Sequence, residues 1–132
     1  MFKKLKKIWK NNEGVEAIEM AAVLPIFLLF VLGIIEFGRA YWIEHSMQLS
    51  IDEAGRYAML NITATDSQII AVAKANLYGL NPNNFNVTST SQTINSLNYK
   101  NIQASYVFTL SVPNLFPISS INLSRQTTVP LL

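Results

Sequence analysis

Residues 20–35 read Met20-Ala21-Ala22-Val23-Leu24-Pro25-Ile26-Phe27-Leu28-Leu29-Phe30-Val31-Leu32-Gly33-Ile34-Ile35, and no charged side chain interrupts them. With Ala17 and Ile18 before and Phe37 after, the apolar stretch reaches about 20 residues. As a helix this covers roughly 30 Å, the thickness of a bilayer core. Twelve of residues 23–37 are Leu, Ile, Val or Phe. At about 0.3–0.6 kcal/mol each, they favour insertion by roughly 4–7 kcal/mol. Glu19 and Glu36 stand near the two ends, where a carboxylate costs much less than at the centre. Pro25 would break a soluble helix, but a membrane helix tolerates it as a kink. Gly33 and Gly38 are small positions where another helix can approach.

Outward from this stretch the charge is uneven. Lys3, Lys4, Lys6, Lys7 and Lys10 precede Gly14 against the single acid Glu13, so this end carries +4 while the remainder carries −2. The lysines predict a cytoplasmic N-terminus, with residues after about 40 outside. Trp9 is expected at the inner interface. The apolar stretch is longer than a signal-peptide core and ends in Glu36-Phe37-Gly38-Arg39 with no Ala-x-Ala-like site, so a single membrane span is favoured over an ordinary cleaved signal. The chain has 132 residues, enough for one domain plus this segment. Only 14% are charged and the formal net charge is +2, too little to suggest nucleic-acid binding. There is no cysteine, which excludes disulfides and thiolate chemistry.

The order of features before the span is specific. Lysines come first, then Gly14, then Val15-Glu16-Ala17-Ile18-Glu19, then the apolar run. This resembles the prepilin processing signal of type IV pilins, in which a peptidase cuts after the glycine on the cytoplasmic side. Gly14 to Met20, Leu24-Pro25, and Ile35-Glu36-Phe37-Gly38-Arg39-Ala40-Tyr41 are more similar still to the TadE-like family. Those proteins are pseudopilins or minor pilins of the tight-adherence (Flp) pilus. The resemblance covers about residues 14–59. It implies processing between Gly14 and Val15, and an assembly role for Glu19. It also implies that other pilin subunits, the pilus assembly platform and a prepilin peptidase are partners in the bacterial inner membrane. A freed ammonium on Val15 can pair with Glu19, four residues on in the same helix, or with Glu19 of a neighbouring subunit. Glu16 reads as a complement to the positive end of the helix dipole.

Glu36 and Arg39 are three apart and can pair on one helix. With Tyr41 and Trp42 they read as the outer membrane–water interface. Residues 44–59 contain no proline, and Met47, Ile51, Ala54 and Ala58 mark one helical face. Gly55 weakens that helix. The expectation is a leader over residues 1–14 and one long helix over 15–60, spanning the membrane over about 17–38 and amphipathic over 39–60. Residues 61–132 then form an exported α+β part. Within it, Thr65 or Asp66 caps a second helix with Ile69, Ile70, Ala73 and Leu77 on its apolar side and Gly79 as its stop. Asn81-Pro82-Asn83-Asn84 is a loop. Phe85-Asn86-Val87-Thr88 reads as a short strand. Residues 103–112 alternate as a half-buried strand ended by Pro113 and Pro117, and Ile121, Leu123, Thr127 and Val129 form the last, with Arg125 at a solvent or edge position. The fold class is α+β: a long N-terminal helix as spine, a second short helix, and a small antiparallel sheet of three or four strands.

No catalytic constellation is visible. His45 is the only histidine and reads as a surface residue. Asp52 and Glu53 are adjacent and diverge on a helix, so they make no facing carboxylate pair. No metal, cofactor or small-molecule substrate is expected. Two function classes remain: a processed pilin-like assembly component, and an unprocessed bitopic anchor that binds another envelope component.

Overall fold

The computed structural model describes residues 12–112 and 117–131. The lysine cluster, Trp9 and Pro113 lie outside the described residues. The chain runs as helix α1 (Asn12–Leu60), helix α2 (Asp66–Ala75), a 3-10 turn (Pro82–Asn84), and strands β1 (Phe85–Ile94), β2 (Leu97–Thr109) and β3 (Ser120–Leu131). The strands form an antiparallel sheet in the order β1-β2-β3. The α+β class is therefore as read from the sequence. The chain divides into two compact units, residues 1–38 and 39–132.

In the first unit, the described residues are helical and Pro25 does not end the helix. Most of their large apolar side chains are exposed, from Val15 and Ile18 through Phe30 to Phe37, with Val31 and Leu32 half-buried. The most apolar 18-residue window has a mean hydropathy of 2.6 and none of it is buried. A helix of that length and composition is sufficient to cross a bilayer.

The second unit holds the core. Ile43, Met47, Ile51, Ala54 and Ala58 from α1 cluster with Ile69 and Ala73 from α2 and with Phe85, Val87, Ile102, Ala104, Tyr106 and Phe108 from the sheet. The spacing in α1 puts these residues on one face, and the alternation in β2 does the same for Ile102 to Phe108. Met47, Ile51, Ile69 and Ile102 are fully buried, each worth about 1.5–3 kcal/mol. Gly55, read from the sequence as a weak point, is a contact position. A Cβ there would stand 3.0 Å from Val129 Cγ1 and 3.6 Å from Thr127 Cγ2. The missing side chain lets β3 approach the helix.

Several boundaries differ from the sequence expectation. Helix α2 is capped by Thr65, with reciprocal bonds between Thr65 and Gln68, but it stops at Ala75 rather than near Gly79. Asn76, at the C-cap, donates both its backbone N–H, at 3.1 Å, and its Nδ2, at 2.9 Å, to the Val72 carbonyl and so ties off the last helical turn. Gly79, at φ +70, sits in the following turn with the Trp42 ring against it. The Asn81 loop contains a 3-10 turn, with Asn81 Oδ1 accepting from the Asn83 amide at 3.0 Å. Strand β1 continues six residues past Thr88 to Ile94, and β2 starts at Leu97 rather than at 103. They meet at a two-residue turn in which Asn95 and Ser96 both have positive φ, +51 and +65. That is the hairpin turn whose twist matches the strands. The sequence hid it because Asn-Ser is a weaker signal than Asn-Gly, and residues 88–93 are polar on both faces. Strand β2 ends at Thr109, before Leu110 and Val112, although the Leu110 amide still bonds the Ser119 carbonyl at 3.1 Å, one step on in the β2–β3 register.

Candidate functional site

The residues singled out for processing and assembly lie at the start of α1. Gly14 and Val15 are in its first turns, where the leading N–H groups have no helical partner. Gly14 is half-buried, Val15 is 48% exposed, and Glu16 and Glu19 are exposed. Val15 and Glu19 are four residues apart and so share one side of the helix. Farther along, a Cβ added at Gly33 or Gly38 would meet nothing within 4 Å.

Of the four residues read as the outer interface, Tyr41 and Trp42 are exposed, at 67% and 51%. Glu36 is buried. The Arg39 guanidinium lies 5.1 Å from the centre of the Phe108 ring and donates to Ser111 Oγ. A guanidinium over an aromatic face at this distance is a cation–π contact. Arg39 thus joins α1 to the end of β2, which its sequence neighbourhood did not signal. Tyr41 also lines a shallow depression of about 180 Å³ with Glu44, His45, Gln48 and Arg125. His45 is exposed there.

Two ion pairs tie sheet to helices. Residues 76–132 carry only two charges, Lys100 and Arg125, both positive. Lys100 is buried in β2, 2.7 Å from Asp66 Oδ1 at the start of α2, and donates to Ser91 Oγ at 2.8 Å. Ser89 Oγ donates to the same carboxylate at 2.8 Å. The Lys100 hydrogen bond, then the one from Ser89, hold the Asp66 carboxyl below its ordinary value. Arg125 Nη2 in β3 lies 2.8 Å from Glu44 Oε2 in α1. Each cation of the β region is therefore matched to an acid of the helical region. Ser50, buried in α1, donates to the Ala73 carbonyl at 2.6 Å and links the two helices. None of these partners is close in sequence, so spacing alone could not pair them. Among the described residues no group of three His, Cys, Asp or Glu side chains could hold a metal ion.

The segment from Gly14 into the amphipathic half of α1 thus has two parts: an uncovered apolar helix, then a face packed on a sheet. Residues 14–56 match the family model described as TadE-like protein. The matched segment begins at the glycine before the apolar run and ends inside α1 at Arg56. The TadE-like family is structural and pilus-associated. Helix α2 and the sheet lie beyond the matched residues. No curated protein and no solved structure matches the chain.

Proposed function

We propose that this chain is a pilin-like protein of the tight-adherence pilus, acting as a structural or assembly component. The observation that carries this reading is the TadE-like match over residues 14–56. It falls on a helix whose apolar surface has no cover within the chain's first unit. In this reading the span sits in the bacterial inner membrane, with the lysines in the cytoplasm and the α+β part outside. A prepilin peptidase hydrolyses the Gly14–Val15 amide. The new ammonium of Val15 pairs with Glu19 of its own helix or of an adjacent pilin subunit. That pairing seats the subunit on the assembly platform and neutralises a carboxylate at the membrane edge. Glu36, Arg39, Tyr41 and Trp42 mark the outer interface, where Tyr and Trp rings favour the headgroup region.

The test is the mass of the mature protein made with and without its peptidase. Loss of the first 14 residues, counted to Gly14, supports the reading. An intact N-terminus beside an active peptidase would leave a fixed bitopic anchor as the function. A second measurement separates processing from assembly. Glu19→Ala is expected to insert and be cut normally, yet to be missing from sheared pili. Normal incorporation of that variant would reduce Glu19 to a partner of the helix dipole.

A further inference from the structure

The sheet has two outer edges, and they are not alike. In a two-residue hairpin the residues flanking the turn exchange backbone hydrogen bonds, and the pattern alternates from there. Ile94 and Leu97 flank the turn at Asn95 and Ser96. It follows that Ser91 and Thr93 direct their backbone N–H and C=O groups away from β2. Strand β2 pairs with β3 through the intervening residues, so Lys100 and Val129 exchange bonds while Pro130 faces outward. Proline has no N–H to offer, and its place on this edge blunts it. Arg125 adds a charge to the same strand. Strand β1 (Phe85–Ile94) has no proline and no charge. An uncharged, unblocked edge is a template for another strand.

The free part of that edge is short and bounded. Helix α2 packs on β1, with its first residue Asp66 bonded to Ser89. Residues 90–94 beyond it are all exposed, and the chain turns at Asn95. We propose that residues 90–94 form an antiparallel pair with the same residues of a second copy of this chain. The two bounds centre the pair on Gln92. Gln92 then faces Gln92 of the other copy, Ser91 and Thr93 exchange backbone bonds, and Thr90 covers Ile94, which is 51% exposed. A second copy fits because identical strands place each residue near itself, where any charge would repel; this stretch has none. The pairing is two-fold, so it closes as a dimer instead of growing into a ribbon. The area is small, so the dimer exchanges and is best read by trapping it.

The chain contains no cysteine, which makes single-cysteine trapping clean. Gln92→Cys in the full chain, in detergent micelles under mild oxidant, places two thiols at a wide pair with Cα atoms about 4.5 Å apart, within disulfide reach. Thr128→Cys on the outer edge of β3 is the control. Contact through the membrane helices raises both rates alike, so their ratio reports the edge. The expected ratio of disulfide dimer formation is about tenfold in favour of Q92C. Adding T90K/I94K to Q92C sets lysines against each other across the pair and is expected to return the rate to the control level. Adding T90K/I94E sets opposite charges together and is expected to restore it. A Q92C rate no greater than T128C overturns the pairing. Equal slowing by both charge variants, in protein with unchanged circular dichroism, overturns this register. Neither result bears on the peptidase test, which reads a different end of the chain.

Discussion

At the scale of single residues, two positions carry strain or charge that the fold requires. Ser96 occupies a left-handed conformation, φ +65, which costs a non-glycine residue roughly 1–2 kcal/mol. Ser96→Gly removes that cost and loses part of the gain to a freer unfolded chain. The expected result is a stabilisation of about 0.5–1 kcal/mol in chemical denaturation, with an unchanged sheet. Asp66 works in the opposite direction. Its carboxyl is held below the ordinary value of 3.8 by Lys100 first and Ser89 second. The folded value lies below the unfolded one, so the stability from this pair is present in full above pH 3.8 and is lost as pH falls through the folded value. Asp66→Asn leaves Lys100, with 8% of its side chain exposed, without its carboxylate. Asp66 itself is half exposed, which screens the pair. The expected loss is about 1–2 kcal/mol at neutral pH. Acid unfolding curves should also flatten, because the variant has no carboxyl left to protonate there.

At the scale of elements, the contact between α1 and β3 rests on an absent side chain. Gly55 costs the helix about 1 kcal/mol relative to alanine. The contact with Val129 at 3.0 Å shows what that cost allows. Gly55→Leu must push Val129 and Thr127 aside, and overpacking of this kind costs about 1–3 kcal/mol. Gly55→Ala adds only a Cβ against a partly exposed valine, so the helix gain and the crowding are expected to cancel nearly. Thermal melts of the two variants test this: a fall for leucine with little change for alanine. If leucine were neutral, β3 would not be seated against the helix at Gly55.

At the scale of the whole molecule, the proposed membrane span rests on a sum. Its apolar residues favour insertion by roughly 4–7 kcal/mol. One arginine near the centre costs about 2.5–3.5 kcal/mol and also removes an apolar residue. Phe30→Arg alone is therefore expected to reduce membrane retention without abolishing it. Phe27→Arg and Phe30→Arg together exceed the favourable sum, and the protein is expected to leave the membrane fraction. Full retention of the double variant in carbonate-washed membranes would mean that something other than the hydrocarbon holds the segment.

Composition and periodicity determined the elements whose signals are local. The uncharged run over 20–35, the face Met47-Ile51-Ala54-Ala58, the Thr65 cap and the alternation from Ala104 to Phe108 were all legible, because each is set by neighbours within a few residues. The family pattern matched over residues 14–56 was legible for the same reason. Tertiary structure alone decided what is matched across distance. The polar half of β1 became a strand because β2 supplied a ladder. Lys100 and Arg125 found Asp66 and Glu44, Arg39 found Phe108, and Gly55 became a contact because β3 came to lie on it. The physical reason is that backbone pairing, ion pairing and close approach need a partner, and a partner far along the chain leaves no period to read. The apolar run over 20–35 is the converse case: its helical, uncovered apolar character needs no distant partner, so composition alone made it legible.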